Sequence, residues 1–409
     1  MSAPQTLARK TFAAFAVHNF RLYFVGQVVS VSGAWMQRVA QSWLVLEITG
    51  SGAAVGAITA VQFLPLLLLA PVGGLVADRA DKRKVLYVTQ SLAGLIALTL
   101  GALVLTDVVQ LWMVFALAGL LGVVGSFDNP ARQTFVMEMV GRSRLTNAVA
   151  LNSVLVNSAR IIGPAVGGLL IVTVGIGWCF VINALSYVVF ITAMALMRSD
   201  DIHRTDREQR QPGQLRDALE YVRGQPVLLT TLAMSAVFGL FAYEFEVVLP
   251  LFARFTFGGD ADTFGTMFAA MGLGAVAGGL YVASRDTTPP RSILIACLAL
   301  GAAMTATALV PSLWLSYVTL IVIGATSTAF LTMSNSVLQL ESEPKMRGRV
   351  VGLRAMAVLG ARPIGAPIVG WVGEHLGPRY SLALGALACF AVVSWAWGRM
   401  GAKSPLPTR

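Results

Sequence analysis

The chain has 409 residues, of which 56% are hydrophobic and 12% are charged, and its formal net charge is +10 at pH 7. A soluble domain carries about 25% charged residues, so this composition excludes a soluble surface and predicts contact with lipid. The basic residues lie between apolar runs and form no solvated basic face, so nucleic acid is not an expected partner. The three cysteines are isolated, and their spacing predicts neither a metal site nor a disulfide.

Twelve apolar stretches approach or exceed the roughly 20 residues that are needed to cross a membrane. They lie at residues 22–46, 52–77, 85–106, 108–127, 145–197 (two spans), 226–252, 263–284, 292–340 (two spans), 350–373 and 380–398. Gly175 and Pro311 divide the two double stretches. We therefore expect an all-α membrane protein of two six-helix bundles, residues 1–197 and 226–409, joined by a cytoplasmic linker, residues 198–225.

The distribution of Lys and Arg predicts the orientation of these spans. With the N-terminus inside, the inner segments hold about 24 basic residues and the outer loops hold two, Arg254 and Arg379. We therefore expect both termini in the cytoplasm and the chain in the cytoplasmic (inner) membrane, with no removable signal peptide. Within the linker, residues 214–223 alternate apolar and charged positions at helical spacing, which predicts an amphipathic helix on the inner membrane surface. It could be a solvated connection between the bundles or a regulatory or lipid-contacting element.

An internal repeat relates the two halves of the chain. The offset from Arg160 to Arg362 and from Gly163 to Gly365 is 202 residues, about half the chain. Duplicated hydrophobic halves with Gly/Pro-interrupted segments at corresponding positions are typical of secondary transporters. A transporter is also favoured over an enzyme, because no clustered nucleophile, metal site, acid–base pair or nucleotide-binding loop is visible.

The loop after the second span carries a glycine, an acid and a group of basic residues. It resembles the signature of the major facilitator superfamily, and the matching residues are Gly74, Asp78, Arg79, Lys82 and Arg83. Asp81 stands where the family has glycine, which departs from the family's turn. The resemblance implies a cytoplasmic latch between the halves, whereas the alternative is an ordinary positive-inside loop. We expect Asp128 and Arg132, at the inner end of span four, to join this loop in a charge cluster at the cytoplasmic gate.

Span five contains a glycine- and proline-rich stretch that follows Arg160. It resembles the antiporter motif of the same superfamily, and the residues that carry the resemblance are Gly163, Pro164, Gly167 and Gly168. The resemblance implies export, although proline kinks and close glycine packing explain the pattern without any direction of transport. For Arg160 and Arg362, interdomain or loop contacts and contact with substrate both remain open.

Charged residues at membrane depth are costly and each is a functional hypothesis. Glu244 and Glu246 in span seven are candidate proton carriers, because a buried carboxyl group can exchange a proton near neutral pH. Two residues apart on a regular helix, they point about 200° from each other, so at most one is expected to face a cavity. The alternative is that one pairs with Arg38 and the other reaches outer water.

Aromatic and amide side chains in spans one and seven suit a large, partly apolar ligand. The candidate cavity residues are Gln27, Arg38, Gln41, Phe241, Tyr243 and Arg362. Ordinary helix packing or an interfacial aromatic belt is the alternative explanation for each of them.

Nearly the whole chain resembles one branch of the major facilitator superfamily, which contains the enterobactin exporter and related drug-efflux permeases. The strings that carry this resemblance are residues 19–27, 35–44, 128–133 and 249–252. It implies a monomeric carrier that exports a small molecule by proton antiport and alternating access, with no cofactor and the proton gradient as its energy source. A proton-coupled nutrient importer and a lipid flippase remain as alternatives.

Overall fold

In a computed structural model, the described residues are 13–202, 214–285 and 287–401, and no β-strand occurs among them. The principal helices in chain order are α1 (His18–Thr49), α2 (Gly52–Arg79), α3 (Lys82–Leu105), α4 (Leu111–Gly141), α5 (Asn147–Val174), α6 (Ile176–Ala195), α7 (Gln214–Arg223), α8 (Pro226–Thr256), α9 (Ala261–Ala283), α10 (Arg291–Leu309), α11 (Leu313–Leu340), α12 (Arg347–His375) and α13 (Pro378–Gly401). This order confirms the predicted all-α fold.

Eleven of the described helices are long and apolar enough to cross a membrane. The remaining long helix, α1, has 32 residues and a more polar sequence. Its amides Gln27, Gln37 and Gln41 are buried inside the protein, so they are shielded from lipid. Because a bilayer offers no hydrogen-bond partners, helices satisfy the backbone within each span. The chain is a multi-pass membrane protein.

Several predicted boundaries are confirmed, and one is wrong. Gly175, at φ +94°, separates α5 from α6, and Pro311 lies between α10 and α11. Span four was expected to end at residue 127, but α4 continues to Gly141, whose φ of +68° marks the kink before α5. Asp128 and Arg132 form an ion pair one turn apart on this helix. Because the two charges neutralise each other, α4 can continue past residue 127.

The described residues group into two compact units. The first comprises residues 13–44 and 64–202, and the second comprises residues 45–63 and 214–401. In the first unit, buried aromatic rings of α1, α4 and α6 form a core at the helix ends near the loop between α2 and α3. The rings in direct contact include those of Phe20, Tyr23, Phe135 and Phe190. The division into residues 1–197, 198–225 and 226–409 stays a prediction.

Two helices of the second unit are interrupted. In α8, wide π-helical turns at Phe238–Ala242 and Phe252–Thr256 flank a short α-helical piece, Phe245–Leu251. In α12, the helix ends at Leu359 and restarts at Arg362, where Pro363 occupies the first turn. Proline is well accommodated there because first-turn amides have no partner within the helix.

The amphipathic helix α7 packs on the second unit. Ala218 and Val222 on its apolar face are buried together with Leu228 of α8, Leu338 of α11 and Val350 of α12. The charged residues of α7 lie on the other side, where Arg216 and Glu220 pair one turn apart. These buried residues contact protein and are therefore not available to lipid.

Candidate functional site

Glycines of three helices, α8, α12 and α13, allow close packing around the interruption of α8. A Cβ atom on Gly239 would collide with the carbonyl of Val358, one on Gly365 with the carbonyl of Leu240, and one on Gly385 would meet the carbonyl of Phe241 at 2.9 Å. The backbones of α12 and α13 therefore lie directly against the wide turn of α8. Such close contact is possible only where a side chain is missing.

The interruption of α8 places Glu244 and Glu246 against Arg362. Arg362 donates from Nε to Oε1 of Glu244 at 3.1 Å, and from an Nη to Oε2 of Glu244 at 3.2 Å and Oε2 of Glu246 at 3.1 Å. The exposed fractions of the three side chains are 1%, 0% and 9%. The predicted 200° separation of the two acids does not occur, because the backbone at Tyr243 and Glu244 is not α-helical.

Aromatic rings cover the guanidinium group of Arg362. Its central carbon lies 4.3 Å from the ring centroid of Phe63 and 5.6 Å from that of Tyr243. Both are cation–π contacts, which gain strength where water is excluded. Phe63 belongs to the second unit although it lies on α2. The result is a buried cluster of one cation and two carboxylates, which we call the Arg362 cluster: Arg362, Glu244, Glu246, Phe63 and Tyr243.

A second polar cluster lies in the first unit, around Asp128. Its carboxylate accepts hydrogen bonds from Thr89 Oγ1 at 2.8 Å and Gln90 Nε2 at 2.7 Å, and from Arg132 through Nε at 3.0 Å and an Nη at 2.9 Å. Arg132 also donates to Gln27. The four hydrogen bonds fill the acceptor positions of the carboxylate, so this pair is a structural connection between α1, α3 and α4. The expected charge cluster of this pair with the Asp78 loop stays a prediction.

The signature loop contacts other helices of the first unit. Lys82 forms an ion pair with Glu138 of α4 at 3.0 Å. Arg83 donates to Ser199 Oγ at 2.8 Å and to the carbonyl of Met194 at 2.7 Å. Asp78 is half-buried and Arg79 is exposed at the end of α2, while Gly74 is buried.

Asp81 explains how the loop turns without the family's glycine. Its φ and ψ are −67° and 111°, an extended conformation that any residue adopts. Its carboxylate accepts from the backbone amides of Arg83 and Lys84, so it caps the first turn of α3.

The antiporter-like stretch packs α5 against α1. A Cβ atom on Gly163 would lie 2.5 Å from Cβ of Trp35, and one on Gly167 would be in van der Waals contact with Met36. Pro164 lies within the helix, and Gly168 is buried. Arg160 lies over the ring of Trp35, with 5.1 Å from its central carbon to the ring centroid.

The predicted cavity residues divide by exposure. Gln27, Gln41 and Arg362 are buried, whereas Arg38, Phe241 and Tyr243 are half-buried. Several residues that build the two clusters or contact the signature loop were not predicted from the sequence: Phe63, Thr89, Gln90, Glu138 and Ser199. Thr89 and Gln90 could have been predicted, because adjacent polar residues in an apolar span need buried partners.

Over the described ranges, no group of His, Cys, Asp or Glu could hold a metal ion.

Comparison with known proteins identifies relatives along nearly the whole chain. The multidrug efflux pump Tap of Mycolicibacterium fortuitum is 29% identical over 354 residues, which cover 83% of this chain and 85% of that protein. The enterobactin exporter EntS of Escherichia coli O1:K1 is 25% identical over 364 residues, which cover 88% and 86%.

The fold is similar to that of solved transporters. A bacterial homologue of the human lysosomal transporter Spinster superimposes with a TM-score of 0.74 at 13% identity, covering 95% of this chain and 99% of that chain. Such low identity shows the fold alone. The family of transmembrane secretion effectors matches residues 9–401. The chain therefore belongs to this family of the major facilitator superfamily.

Proposed function

We propose that the chain exports small amphipathic molecules, such as drugs or siderophores, by proton antiport with alternating access. The export of drugs or siderophores is supported by its relatives, a multidrug efflux pump and an enterobactin exporter. The observation that carries the coupling to protons is the buried contact of two carboxylates, Glu244 and Glu246, with Arg362.

The Arg362 cluster brings two carboxylates to one arginine inside the membrane. Ionised carboxylates at this depth are costly, and two that lie at one site disfavour each other's charge. Two carboxylates that share a site titrate as a coupled pair, so we assign one exchangeable proton to the pair Glu244/Glu246.

The position of the Arg362 cluster couples the binding of this proton to a conformational change. Glu244 lies where α8 is interrupted, and Arg362 begins the second piece of α12. Neutralising a glutamate weakens its attraction to Arg362, and the two interrupted helices are then less tightly joined. Ligand and proton together need to shift a preference of a few kcal/mol. A proton that crosses 100 mV contributes about 2.3 kcal/mol, which is of this size.

The proposal also covers the orientation, the oligomeric state and the energy source of the protein. Both termini lie in the cytoplasm, and the chain works as a monomer in the cytoplasmic membrane. It needs no cofactor, carries out no enzymatic reaction, and takes its energy from the proton gradient. The orientation is supported by the excess of Lys and Arg on one side of the spans.

Proton release in everted vesicles tests the proposal. Respiration acidifies the lumen, and drugs and siderophores are added in turn to vesicles with the wild-type protein, Glu244→Gln or Glu246→Gln. We expect a substrate to alkalinise the lumen in the wild type and not in at least one glutamine variant. Glu341→Gln is the matched control, because Glu341 is exposed at the inner end of α11.

Three outcomes contradict the proposal in different ways. A proton response that persists in both variants removes the Arg362 cluster from coupling. Movement of a substrate and protons in the same direction indicates a symporter, and lipid movement without any proton response indicates a flippase.

A further inference from the structure

The first part of α2 packs along the second piece of α12. A Cβ atom on Gly52 or on Gly56 would collide with a carbonyl group of α12, so the two backbones touch. Phe63, 11 residues after Gly52, lies over the guanidinium group of Arg362. The contact therefore extends over about 16 Å of helix. It ends at Phe63, which helps to leave the side chain of Arg362 only 1% exposed.

A carboxylate at the end of α12 holds the start of α2. Glu374 Oε2 accepts a hydrogen bond from Ser51 Oγ at 2.5 Å and from the backbone N–H of Ala53 at 2.9 Å. A carboxylate is favoured at a helix N-terminus, where the backbone N–H groups have no partner within the helix. Because Glu374 is exposed, water competes for these hydrogen bonds and the attachment is reversible.

The other end of this segment lies beside a proline. Residues 45–63 group with the second unit, whereas α2 from residue 64 onward groups with the first unit. Pro65 lies inside α2, two residues after Phe63. Proline has no N–H to donate to the carbonyl four residues earlier, so a helix bends more easily there. Residues 52–63 can therefore turn about Pro65 while the rest of α2 stays with the first unit.

We propose that residues 52–63 form a lid over the Arg362 cluster. Its hinge is Pro65, and Glu374 is the positioning residue that holds it shut at the outer end of α12. The inference rests on the proposed function and adds the route by which the proton enters. When Glu374 releases α2, Phe63 moves off the cluster and the two carboxylates exchange a proton with the outer water.

A cysteine beneath the lid reports its opening. Leu251 of α8 is fully buried, and its Cδ1 atom would lie 2.7 Å from a Cβ atom on Gly52. Leu251→Cys is labelled with a polar maleimide in the purified full-length protein in lipid nanodiscs. The three native cysteines are buried, so the protein without this change gives the background. Adding Glu374→Ala should raise the labelling rate about five-fold, which is the size of a lost helix cap.

Three further variants test the parts of the lid separately. Glu374→Gln keeps an oxygen that accepts hydrogen bonds and should raise the labelling rate less than Glu374→Ala. Pro65→Ala restores a helical hydrogen bond at the hinge and should lower the rate. Glu47→Ala is the matched control, because Glu47 is an exposed carboxylate of the same segment 45–63. Within the part of the chain that the structure describes, its side chain makes no hydrogen bond or ion pair, and its loss should change nothing.

Locking the lid tests its role in proton entry. Ser51→Cys and Glu374→Cys are joined by a bifunctional methanethiosulfonate reagent in intact cells, before everted vesicles are made. We expect the proton response to a substrate to be lost in the joined protein and to return after reduction. A response that persists in the joined protein refutes the lid.

The labelling rate decides on the lid independently of transport. Equal rates in Leu251→Cys with and without Glu374→Ala refute it, even where a substrate gives a proton response. If the unmodified protein gives no proton response to any substrate, the proposed function fails, and a five-fold rise in labelling still supports the lid. If Leu251→Cys aggregates in size-exclusion chromatography, Ala366→Cys replaces it, because Ala366 is fully buried and its carbonyl lies against Gly56.

Discussion

Removing the cation of the Arg362 cluster should destabilise the second unit strongly. Arg362→Met keeps a long apolar side chain but removes the three hydrogen bonds of 3.1–3.2 Å to Glu244 and Glu246. Exposed fractions of 1%, 0% and 9% leave almost no water to compensate the two carboxylates. Removing one partner of a buried ion pair costs about 3–5 kcal/mol. We expect a loss in this range, measured by chemical unfolding of the purified protein in detergent.

The reason for this loss can be tested in a second background. In a protein that already carries Glu244→Gln and Glu246→Gln, the same Arg362→Met change should cost less than half as much, because no carboxylate is left unpaired. An equal cost in both backgrounds would refute the reasoning. Arg362 would then act through its packing against Phe63 and Tyr243, and its ion pairs with the two carboxylates would have no energetic consequence.

Three other changes have defined outcomes in unfolding or transport assays. Gly365→Ala should cost about 1–3 kcal/mol by forcing α12 away from the carbonyl of Leu240, whereas Gly279→Ala, with only a methyl group of Thr328 at 3.8 Å, should cost nothing. Asp81→Ala should lower the unfolding free energy by about 1 kcal/mol and Asp81→Asn should not, because asparagine also caps a helix. Asp128→Asn should reduce stability by breaking the pair with Arg132, yet leave the number of protons released per substrate unchanged.

The membrane helices could be predicted from the sequence because a bilayer permits few backbone conformations. A run of about 20 apolar residues can satisfy its backbone only as a helix. Gly175 and Pro311 mark real ends because one adopts a positive φ and the other cannot continue a helix. The length of α4 was missed, because a charged pair looks like the end of a span unless its partners are known.

The Arg362 cluster could be predicted only in part. Acids and an arginine inside apolar spans indicated a functional site, but their pairing depends on the unwinding of α8. That unwinding is stabilised by Gly365 and Gly385, which lie more than 100 residues further along the chain. A helical-wheel argument assumes a regular helix, and it therefore separated Glu244 from Glu246. The contact of Phe63 with Arg362 had no sequence signal, because one phenylalanine in an apolar span resembles any other.

Corresponding positions in the two halves of the sequence repeat differ in their chemical environment. Arg160 and Arg362 occupy equivalent places in the two halves, and each lies over an aromatic ring. Arg362 contacts two carboxylates, whereas Arg160 shares the ring of Trp35 with a second arginine, Arg38. Duplication preserved the helix positions and the glycine contacts, since packing requires them in both halves. The surroundings of the two equivalent arginines diverged, so one repeated position has a different chemical environment in each half.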